Sequence, residues 1–562
     1  MIEKYLKIKT AELSPESKIS IALVLLLTIC GFLLRIYHLG APSFWMDEAI
    51  SSNVAAALVK QGTPSFPSGV IYMRSILNTF FISLSFRIFS ISEFSARFPS
   101  VIFGTLTIPL VYLIGVKLGN RKIALISALF ITFSVLEITW SRQARMYQQL
   151  QFFYLISLYF FYEFNRNYQA RKNKSKRNLY LALTTLSFTA AVLSHEFGYL
   201  LILVLVPWFF IVNFKEIKNN WKDFVYIRSI IGFFTFMIFL TFLISKFMKL
   251  DVPIKIIYNL IIDNRIKSID YLDAYLYILT DNFSVFFYLA IIGAVLYLKK
   301  NWMGASLMII SFLIPFYIIS YYINTPATRY LYFIFPILLI FSSYFFVFLI
   351  DLAQKYGENR SAKIGSILIV SVVSSMLLIM LYSPQVFMIT PQEDLDLGVN
   401  APRADFKMAY TYIKKNMHSS DVIIDTWPAV SLFYMGKSDY WLAFEAFGIG
   451  LGTNRLSMNN GSNEIYANAS VIYNVDQLKE VAAKFDRGWI VIDNTAWIRI
   501  SSEIKKYIID QFQLERSDGN IAIYSWGINY SRNNIRISTN KLTTNILTVE
   551  NESVISQKFS GA

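Results

Sequence analysis

Residues 19–49 read ISIALVLLLTICGFLLRIYHLGAPSFWMDEA, an apolar run followed closely by two adjacent carboxylates. A run of this length is sufficient to cross a bilayer as a single helix. Two adjacent carboxylates at the end of such a segment are costly to bury unless they pair with cations or take part in function. The pair therefore predicts a functional site. We identify Asp47 as the candidate catalytic base. The alternative is a solvated loop in which Asp47 caps a short helix that begins at Ala49.

The composition excludes a soluble protein of this size. Of the 562 residues, 55% are hydrophobic and only 16% are charged, which is typical of a membrane protein. The formal net charge is +15, but the Lys and Arg residues fall between apolar runs, where they determine topology, so we expect no nucleic-acid partner. The single cysteine, Cys30, lies inside the first apolar run, which excludes disulfides and a Cys-ligated metal site. No small-residue cleavage site follows this run, so we expect a retained span rather than a signal peptide.

The remaining apolar runs predict a polytopic α-helical membrane protein. About eleven segments are long enough to span a bilayer. They lie near 19–39, 96–116, 123–141, 149–165, 179–196, 198–213, 225–245, 282–298, 303–323, 328–351 and 364–383. We therefore expect residues 1–383 to form a transmembrane domain with a long first outer loop, 40–95.

Basic residues predict the orientation of this domain. Clusters such as Arg121-Lys122 and Lys299-Lys300 occupy alternate connections, in phase with the basic N-terminus, and connections of this kind stay in the cytoplasm. We expect a multi-pass protein of the plasma membrane with a cytoplasmic N-terminus. Asp47 and Glu48 then lie outside.

The outer connections carry basic residues that the topology rule does not explain. These connections include Trp140–Tyr147, Ser194–Gly198 and Asn324–Tyr330, and their charges predict a site for an anion. The first outer loop also contains an amphipathic piece, 72–89, which is interrupted by arginines and suited to lying along the interface. The connection 246–281 has the mixed character of a partly inserted lid.

Residues 384–562 are more polar and predict a separate, extracytoplasmic α/β domain. Strand-like runs at Asp421–Asp425 and Gly488–Asp493 alternate with helix-like stretches at Asp405–Met417 and Val475–Phe485. Acceptor patterns for N-glycosylation, which fit an outer location, begin at Asn460, Asn468, Asn529 and Asn551. No Gly-rich phosphate loop or catalytic triad occurs here, so we expect this domain to cover a cavity or to select a substrate.

Four motifs together carry a family resemblance. They are Asp47-Glu48, the segment Ser92–Ser100, the segment Ser141–Tyr147, and Arg329-Tyr330 followed by Pro336. Their order and spacing resemble the GT-C membrane glycosyltransferases, in particular the branch of the protein O-mannosyltransferases and aminoarabinose transferases. The resemblance covers roughly residues 20–350. It implies transfer of a sugar, with inversion, from a polyprenyl-phosphate carrier to an acceptor outside the cytoplasm.

The chain departs from the family pattern at two positions. Members often have an acidic residue where Ala144 stands, and Glu137, about two helical turns earlier, is the alternative carboxylate. The aminoarabinose transferases carry an acidic-basic-Pro-Pro element where this chain reads Ser65–Gly69. The tryptophan-rich element of oligosaccharyltransferases is absent from the sequence.

Charged residues of the outer connections supply the candidate site. Asp47 suits removal of the acceptor proton, and Glu48 either raises the pKa of Asp47 or orients the acceptor. Arg329 suits the leaving phosphate, although an interfacial, snorkelling arginine has the same pattern. Arg142 and Arg145 lie three residues apart, which places them on one helical face toward the acidic pair. For each of these arginines three roles stay open: contact with phosphate, an ion pair with Asp47, and snorkelling of the side chain to the membrane surface.

Four further residues complete the candidate set. Tyr147 and Tyr330 are expected to contact the donor or the acceptor, although an interfacial aromatic is the alternative for Tyr147. His195 and Glu196 come nearest to a metal site, so a divalent ion is left open there, and no cofactor is certain. The alternatives for His195 are contact with phosphate and a hydrogen-bonded histidine at the end of a span.

The sequence thus favours an inverting glycosyltransferase of the hexosyl or pentosyl type. Its expected partners are a polyprenyl-phosphate-linked sugar donor, a protein, glycan or lipid acceptor, and membrane lipids. Two other classes stay open. A lipid or sugar transporter would place its charges near the membrane midplane, and a catalytically silent subunit would fit the alanine at position 144.

Overall fold

The computed structural model describes residues 14–170, 174–219, 271–322, 327–388, 404–444, 463–518 and 520–528, together with eight single positions between 220 and 270. The chain divides into two compact units. The helical unit comprises Met1–Tyr37, Arg74–Asn78 and Arg97–Gln392. The mixed unit comprises His38–Met73, Thr79–Ala96 and Glu393–Ala562. Most of the first outer loop therefore groups with the C-terminal region, whereas the domain boundary at residues 383 and 384 stays a prediction.

The described residues up to Leu381 are built mainly from helices. In chain order these are α1 (Pro15–Ile36), α2 (Met46–Gln61), α3 (Ile76–Phe89), α4 (Glu93–Leu118), α5 (Arg121–Phe133), α6 (Val135–Ser141), α7 (Tyr147–Gln169), α8 (Lys174–Ser194), α9 (Leu200–Asn219), α10 (Leu272–Asn282), α11 (Val285–Lys300), α12 (Trp302–Tyr322), α13 (Thr328–Leu331), α14 (Phe335–Arg360) and α15 (Ala362–Leu381). Short 3-10 helices at Glu196–Tyr199 and Tyr332–Ile334 lead into α9 and α14.

The helices confirm a multi-pass membrane protein. Within the described residues, six helices are long and apolar enough to cross a bilayer, or up to seven if α10 and α11 are counted as one bent span. Most of the predicted span 225–245, and most of the predicted lid over 246–281, lie outside the described residues. The count of about eleven spans, which requires shorter or less apolar helices such as α7 and α8, stays a prediction.

One predicted span, 123–141, consists of two helices. Helix α5 ends at Phe133 and α6 begins at Val135, with the Ser134 side chain accepting a hydrogen bond from the Glu137 amide at 3.5 Å. The backbone at the break is satisfied by another segment, because the Val135 amide donates to the Val386 carbonyl at 2.8 Å. Irregular backbone is tolerated in a membrane protein where such partners exist.

Close helix packing in the helical unit depends on small residues. Gly293 of α11 lies directly against the Phe341 backbone of α14, and Gly357 of α14 faces Gly365 of α15. In each case an added Cβ would overlap the backbone of the neighbouring helix. Such contacts let membrane helices approach closely, where packing rather than the hydrophobic effect drives association.

The mixed unit contains the predicted α/β fold. Its C-terminal part runs α16 (Phe406–Asn416), β1 (Val422–Asp425), α17 (Pro428–Met435), β2 (Tyr440–Leu442), β3 (Ser470–Ile472), α18 (Val475–Lys484), β4 (Gly488–Asp493), α19 (Asn494–Arg499), α20 (Ser502–Gln511), β5 (Gln513–Ser517) and β6 (Ile521–Trp526). The sheet has the strand order β3-β2-β1-β4-β6-β5. The first four strands in this order are parallel, and β6 and β5 pair antiparallel at one side.

The hydrophobic pattern of the central strands explains this sheet. Strands β1 and β4 are buried at every position, as expected for strands covered on both faces. Ile424 of β1 is in register with Ile490 of β4, and both belong to a core closed by residues such as Leu478 and Ile504 from the flanking helices. Of the four predicted glycosylation positions, only Asn468 falls among the described residues, and it is exposed.

Candidate functional site

Three of the predicted outer connections meet in the helical unit. The ring of Tyr147, at the start of α7, lies 5.4 Å from His195 and 6.5 Å from Tyr330 between ring centroids. Phe197 closes the group, at 5.6 Å from Tyr330 and 4.5 Å from His195. The structure therefore brings together residues that are up to 183 positions apart in the sequence, as Tyr147 and Tyr330 are.

His195 is fixed by the turn between α8 and α9. Its Nδ1 accepts a hydrogen bond from the Phe197 amide at 3.1 Å, and in this way it caps the 3-10 helix. Because Nδ1 is the acceptor, the neutral imidazole carries its proton on Nε2. That atom is buried and has no hydrogen-bond partner among the described residues, and the side chain is 1% exposed. The Nε2–H group of His195 is therefore a hydrogen-bond donor held in a fixed position beside the rings of Tyr147 and Phe197.

Two of the predicted arginines lie beside the same rings. The guanidinium carbon of Arg145 is 5.8 Å from the centre of the Tyr147 ring, and that of Arg329 is 5.2 Å from the centre of the Tyr330 ring. The Arg145 carbonyl accepts a hydrogen bond from the Ser100 hydroxyl at 3.3 Å, which ties its loop to α4. We call Arg74, Arg145, His195, Glu196 and Arg329 the arginine cluster.

The electrostatics of the arginine cluster are dominated by cations. Burial lowers the pKa of His195 to about 4. Glu196 opposes this effect, whereas Arg74, Arg145 and Arg329 all lower the pKa further. The imidazole is therefore neutral at pH 7, and three positive charges act on one position. An arrangement of this kind is suited to an anion with several oxygens.

Arg74 joins this cluster through an ion pair. Its Nη2 lies 2.5 Å from one Glu196 oxygen and its Nε lies 3.3 Å from the other. Sequence reasoning missed Arg74 as a site residue and noted the arginines of 72–89 only as interruptions of an amphipathic piece. The sequence did contain a signal for Arg74, because the topology rule predicts few basic residues in an outer connection.

The described residues do not assemble the metal site left open at His195 and Glu196. No group of three or more His, Cys, Asp or Glu side chains that could hold a metal ion occurs in the part of the chain that the structure describes. Both Glu196 oxygens bond to Arg74. A carboxylate in a two-pronged pair with arginine is a poor ligand for a cation.

The predicted relation between Arg142 and Arg145 is wrong. Helix α6 ends at Ser141 and α7 begins only at Tyr147, so the two arginines share no helical face. Arg142 Nη1 instead donates to the Leu34 carbonyl at 3.3 Å, the Arg35 carbonyl at 3.2 Å and the Tyr37 carbonyl. These carbonyls lie at the C-terminal end of α1, where a cation is favourable. A contact of Arg142 with phosphate stays a prediction.

Glu137 lies in a buried polar network, separate from the arginine cluster. Its carboxylate accepts hydrogen bonds from Gln151 Nε2 at 2.8 Å and from the Tyr332 hydroxyl at 3.0 Å. Gln148 completes the group by donating to Gln151 at 2.9 Å, and all four residues are 0% exposed. Glu137 is thus fully buried, and its carboxylate is hydrogen-bonded within this network.

The predicted acidic pair lies in the mixed unit. Helix α2 begins at Met46, so Asp47 and Glu48 both stand in its first turn. The alternative in which a helix begins at Ala49 and Asp47 caps it is therefore wrong. Asp47 is partly exposed, whereas Glu48 is fully buried. The amide groups at a helix start stabilise carboxylates at such positions.

Comparison with known sequences gives partial matches. Residues 73–242 match the model of the family described as dolichyl-phosphate-mannose-protein mannosyltransferase. An uncharacterized protein of Aquifex aeolicus strain VF5 is 30% identical over 145 residues. That alignment covers 25% of this chain and 29% of the relative, so the match spans less than a third of the relative's length.

Comparison with solved structures covers nearly the whole chain. ArnT from Cupriavidus metallidurans bound to undecaprenyl phosphate is similar with a TM-score of 0.56 and 10% identity, over 90% of this chain and 97% of that chain. The archaeal oligosaccharyltransferase AglB from Archaeoglobus fulgidus, in complex with an inhibitory peptide and a dolichol-phosphate, is similar with a TM-score of 0.56 and 12% identity, over 93% of this chain and 75% of that chain.

These likenesses define the class of protein at the level of fold. The chain has the GT-C fold of membrane glycosyltransferases, which confirms the prediction made from the four motifs. It is a multi-pass membrane protein with a smaller α/β region. At these sequence identities the structural similarity defines the fold and leaves the reaction open.

Proposed function

We propose that this protein is an inverting glycosyltransferase that moves a sugar from a polyprenyl-phosphate carrier to an acceptor outside the cytoplasm. The grouping of Arg74, Arg145 and Arg329 around His195, through the contacts of Glu196, Tyr147 and Tyr330, is the observation that carries the proposal. The leaving group of this reaction is a phosphate anion on a lipid. A cluster of arginines at the ends of membrane helices is suited to such a group.

The solved relatives support the class of donor. The ArnT structure contains undecaprenyl phosphate, and the AglB structure contains a dolichol-phosphate. Both ligands combine a long isoprenoid chain with a phosphate. The family that matches residues 73–242 is named for a dolichyl-phosphate-linked sugar. We extend this donor class to the present chain and leave the identity of the sugar to experiment.

The arginine cluster would act on the leaving phosphate. Arg329 and Arg145 supply charge-assisted hydrogen bonds to its oxygens, which stabilise the charge that develops as the sugar departs. His195 is neutral, so its Nε2–H donates a further hydrogen bond and does not transfer a proton at pH 7. The rings of Tyr147 and Tyr330 border the position and limit the entry of water.

Asp47 is proposed as the base. The acceptor oxygen forms a bond to the anomeric carbon while the bond between that carbon and the phosphate oxygen breaks, and the electron pair leaves with the phosphate. The proton of the acceptor hydroxyl passes to the Asp47 carboxylate. Glu48, as the adjacent carboxylate, orients the acceptor.

The proposed location follows from the basic cytoplasmic connections. The protein lies in the plasma membrane. Its N-terminus is on the cytoplasmic side, and the mixed unit, which contains Asp47, is on the outer side. The acceptor is a protein hydroxyl, a glycan or a lipid that reaches this face. A transporter, the first alternative, would require charges near the midplane of the spans. A silent subunit, the second alternative, would bind the carrier without consuming it.

The test compares sugar transfer by purified wild type, Asp47→Asn and Arg329→Ala, with radiolabelled polyprenyl-phosphate hexose as donor and a membrane extract as acceptor source. We expect both variants to be at least about a hundredfold slower than wild type. Arg329→Ala should also bind the carrier more weakly, whereas Asp47→Asn should bind it normally.

Two exposed positions provide matched controls. Asp476→Asn removes a carboxylate whose side chain is 79% exposed, and Arg87→Ala removes an exposed arginine of α3. Both controls should transfer sugar at the wild-type rate. If Asp47→Asn does so too, Asp47 is not the base. If every form binds the carrier and none consumes it, the transporter or the silent subunit is favoured.

A further inference from the structure

The segment that leads to the acidic pair is held by the α/β part of the mixed unit. The Phe44 amide donates to the Tyr434 hydroxyl at 3.0 Å, although these residues are 390 positions apart. Lys407 contacts the same segment twice, because its Nζ donates to the Gly40 carbonyl at 3.1 Å and its amide donates to Ser43 Oγ at 3.3 Å. Residues 40–44 therefore have backbone and side-chain partners from helices α16 and α17.

Glu93 connects the two anchoring side chains. Its carboxylate accepts a hydrogen bond from the Tyr434 hydroxyl at 3.1 Å and forms an ion pair with Lys407 at 3.1 Å. The Tyr434 hydroxyl consequently accepts from Phe44 and donates to Glu93 at the same time. Since the Glu93 side chain is only 10% exposed, these charge-assisted contacts are stronger than those of a surface pair.

Aromatic packing fixes the same segment. Phe44 is 0% exposed and meets Phe433 edge to face, with 4.7 Å between the ring centroids. Tyr434 stacks on Tyr410 of α16 at 5.9 Å. Edge-to-face and offset pairs of this kind stabilise one geometry over others.

Helix α2 is also held further along its length. Asn53 Nδ2 donates to the Ala429 carbonyl, at the start of α17, at 2.7 Å. Phe44, before the start of α2, contacts Phe433 and Tyr434 near the end of α17. The two helices thus run in opposite directions, with contacts just before the start of α2 and near its middle. Asp47 lies between these contacts, in the first turn of α2.

We propose that Tyr434 and Lys407 are positioning residues for Asp47, so that the α/β part of the mixed unit takes part in the reaction instead of only covering a cavity or selecting the acceptor. The proposal rests on the function proposed above, in which Asp47 is the base. A displacement of about 1 Å at a reacting group costs as much as a hundredfold in rate. Loosening residues 40–46 should therefore reduce turnover without weakening the binding of the carrier.

The main test is Tyr434→Phe, which keeps the ring and removes the hydroxyl. We expect amide hydrogen exchange in residues 43–51 to become at least about tenfold faster, because the anchor of the Phe44 amide is lost. We expect kcat for sugar transfer to fall about tenfold while KM for the carrier changes less than about twofold. Faster exchange confined to residues 43–51 is a result that general destabilisation would not produce, because global unfolding exposes amides throughout the chain.

Tyr412→Phe is the matched control. Tyr412 lies on α16, and its hydroxyl also donates to a glutamate, Glu515, at 3.1 Å. The control loses a hydrogen bond of the same type and length within the same unit and leaves the contacts of Tyr434 and Lys407 with residues 40–44 in place. Exchange in residues 43–51 and the transfer kinetics should stay at wild-type values.

A second pair of variants tests Lys407. Lys407→Met removes the charge that pairs with Glu93, whereas Lys407→Arg keeps it. We expect the arginine variant to retain most of the wild-type kcat and the methionine variant to behave like Tyr434→Phe. Equal losses in both variants would contradict the role of the ion pair.

The outcomes separate this proposal from the proposed function. If wild type is active and Tyr434→Phe matches it in exchange and in kcat, the positioning role is overturned and the proposed function stands. If wild type transfers no sugar from any polyprenyl-phosphate donor, the proposed function fails. In that case faster exchange in Tyr434→Phe would still support the anchoring of residues 40–46, and unchanged exchange would overturn it.

Discussion

Arg74 and Glu196, 122 positions apart in the sequence, form a two-pronged ion pair with contacts of 2.5 and 3.3 Å. The Glu196 side chain is 7% exposed and that of Arg74 is 45% exposed. The pair joins the segment before α3 to the turn between α8 and α9. It also places a cation beside His195 and neutralises the carboxylate next to it.

Removing one partner of this pair should lower the free energy of unfolding more than removing both partners. Arg74→Ala leaves Glu196 buried and without its cation, and we expect a loss of about 2 kcal/mol after allowance for the exposure of Arg74. The double variant Arg74→Ala/Glu196→Gln should regain most of that loss. Thermal unfolding in detergent measures both. Equal Tm values for Arg74→Ala and wild type would contradict a stabilising pair.

The pKa of His195 predicts a pH dependence of stability. Its folded value is about 4, against an ordinary value of 6.5. Between these values the unfolded chain binds more protons than the folded chain, so stability falls as the pH is lowered from about 6.5 towards 4. We expect His195→Gln to reduce this fall in Tm while keeping a side-chain donor. If the Tm of His195→Gln falls with pH as steeply as that of wild type, groups other than His195 control the acid dependence of stability.

Much of the fold follows from local patterns. The apolar runs predict helices such as α1 and α14, and the strand-like runs predict β1 and β4 within one residue of the observed limits. Hydrophobic length and alternation are local properties, so they can be read without knowledge of partners. The GT-C fold itself was predicted from the order of four motifs.

The arginines of the site were predictable where they conflict with the topology rule. Arg145 and Arg329 were selected because cations are unexpected on the proposed outer face, and the structure places both beside His195. Arg74 depends on a partner 122 positions away, and no local pattern identifies such a partner. Arg142 was misplaced because α6 ends at Ser141 and α7 begins at Tyr147, so the helical period used to place Arg142 beside Arg145 does not apply.

The grouping of the first outer loop with the α/β region was equally unpredictable. It results from contacts such as that between Phe44 and Tyr434, which involve residues from distant parts of the chain. The composition suggested a domain boundary near residue 384, because the last apolar run ends there and the sequence becomes more polar. It contains no information on which loops pack against the domain that follows.

Glu137 should be required for the stability of the helical unit. Glu137→Leu removes the acceptor for Gln151 and Tyr332 and takes away the negative charge that acts on Arg35, which is 0% exposed. An uncompensated buried charge is strongly destabilising. We expect a clearly lower Tm in detergent for Glu137→Leu and a smaller decrease for Glu137→Gln, which keeps hydrogen-bonding capacity. A leucine variant as stable as wild type would mean that the network is dispensable.

Asp425, at the end of β1, should make the mixed unit less stable as the pH rises from 3.8 to about 8. Its side chain is 1% exposed, and burial raises its pKa to about 8 although Ser438 donates a hydrogen bond to it at 2.7 Å. The folded chain therefore holds a proton that the unfolded chain, with a value of 3.8, has already lost.

The sign of this dependence follows from proton binding. A raised carboxyl pKa gives stability that is complete below the unfolded value and is lost as the pH rises through the folded value. We expect the Tm of the wild-type chain to decrease as the pH rises from 3.8 to about 8, the interval between the unfolded and folded pKa values, and to level off above it. Asp425→Asn, which is neutral throughout, should show a flatter profile, while the exposed control Asp476→Asn should follow wild type. Parallel profiles for all three proteins would show that Asp425 is already ionised in the fold, and its burial would then require a cationic partner.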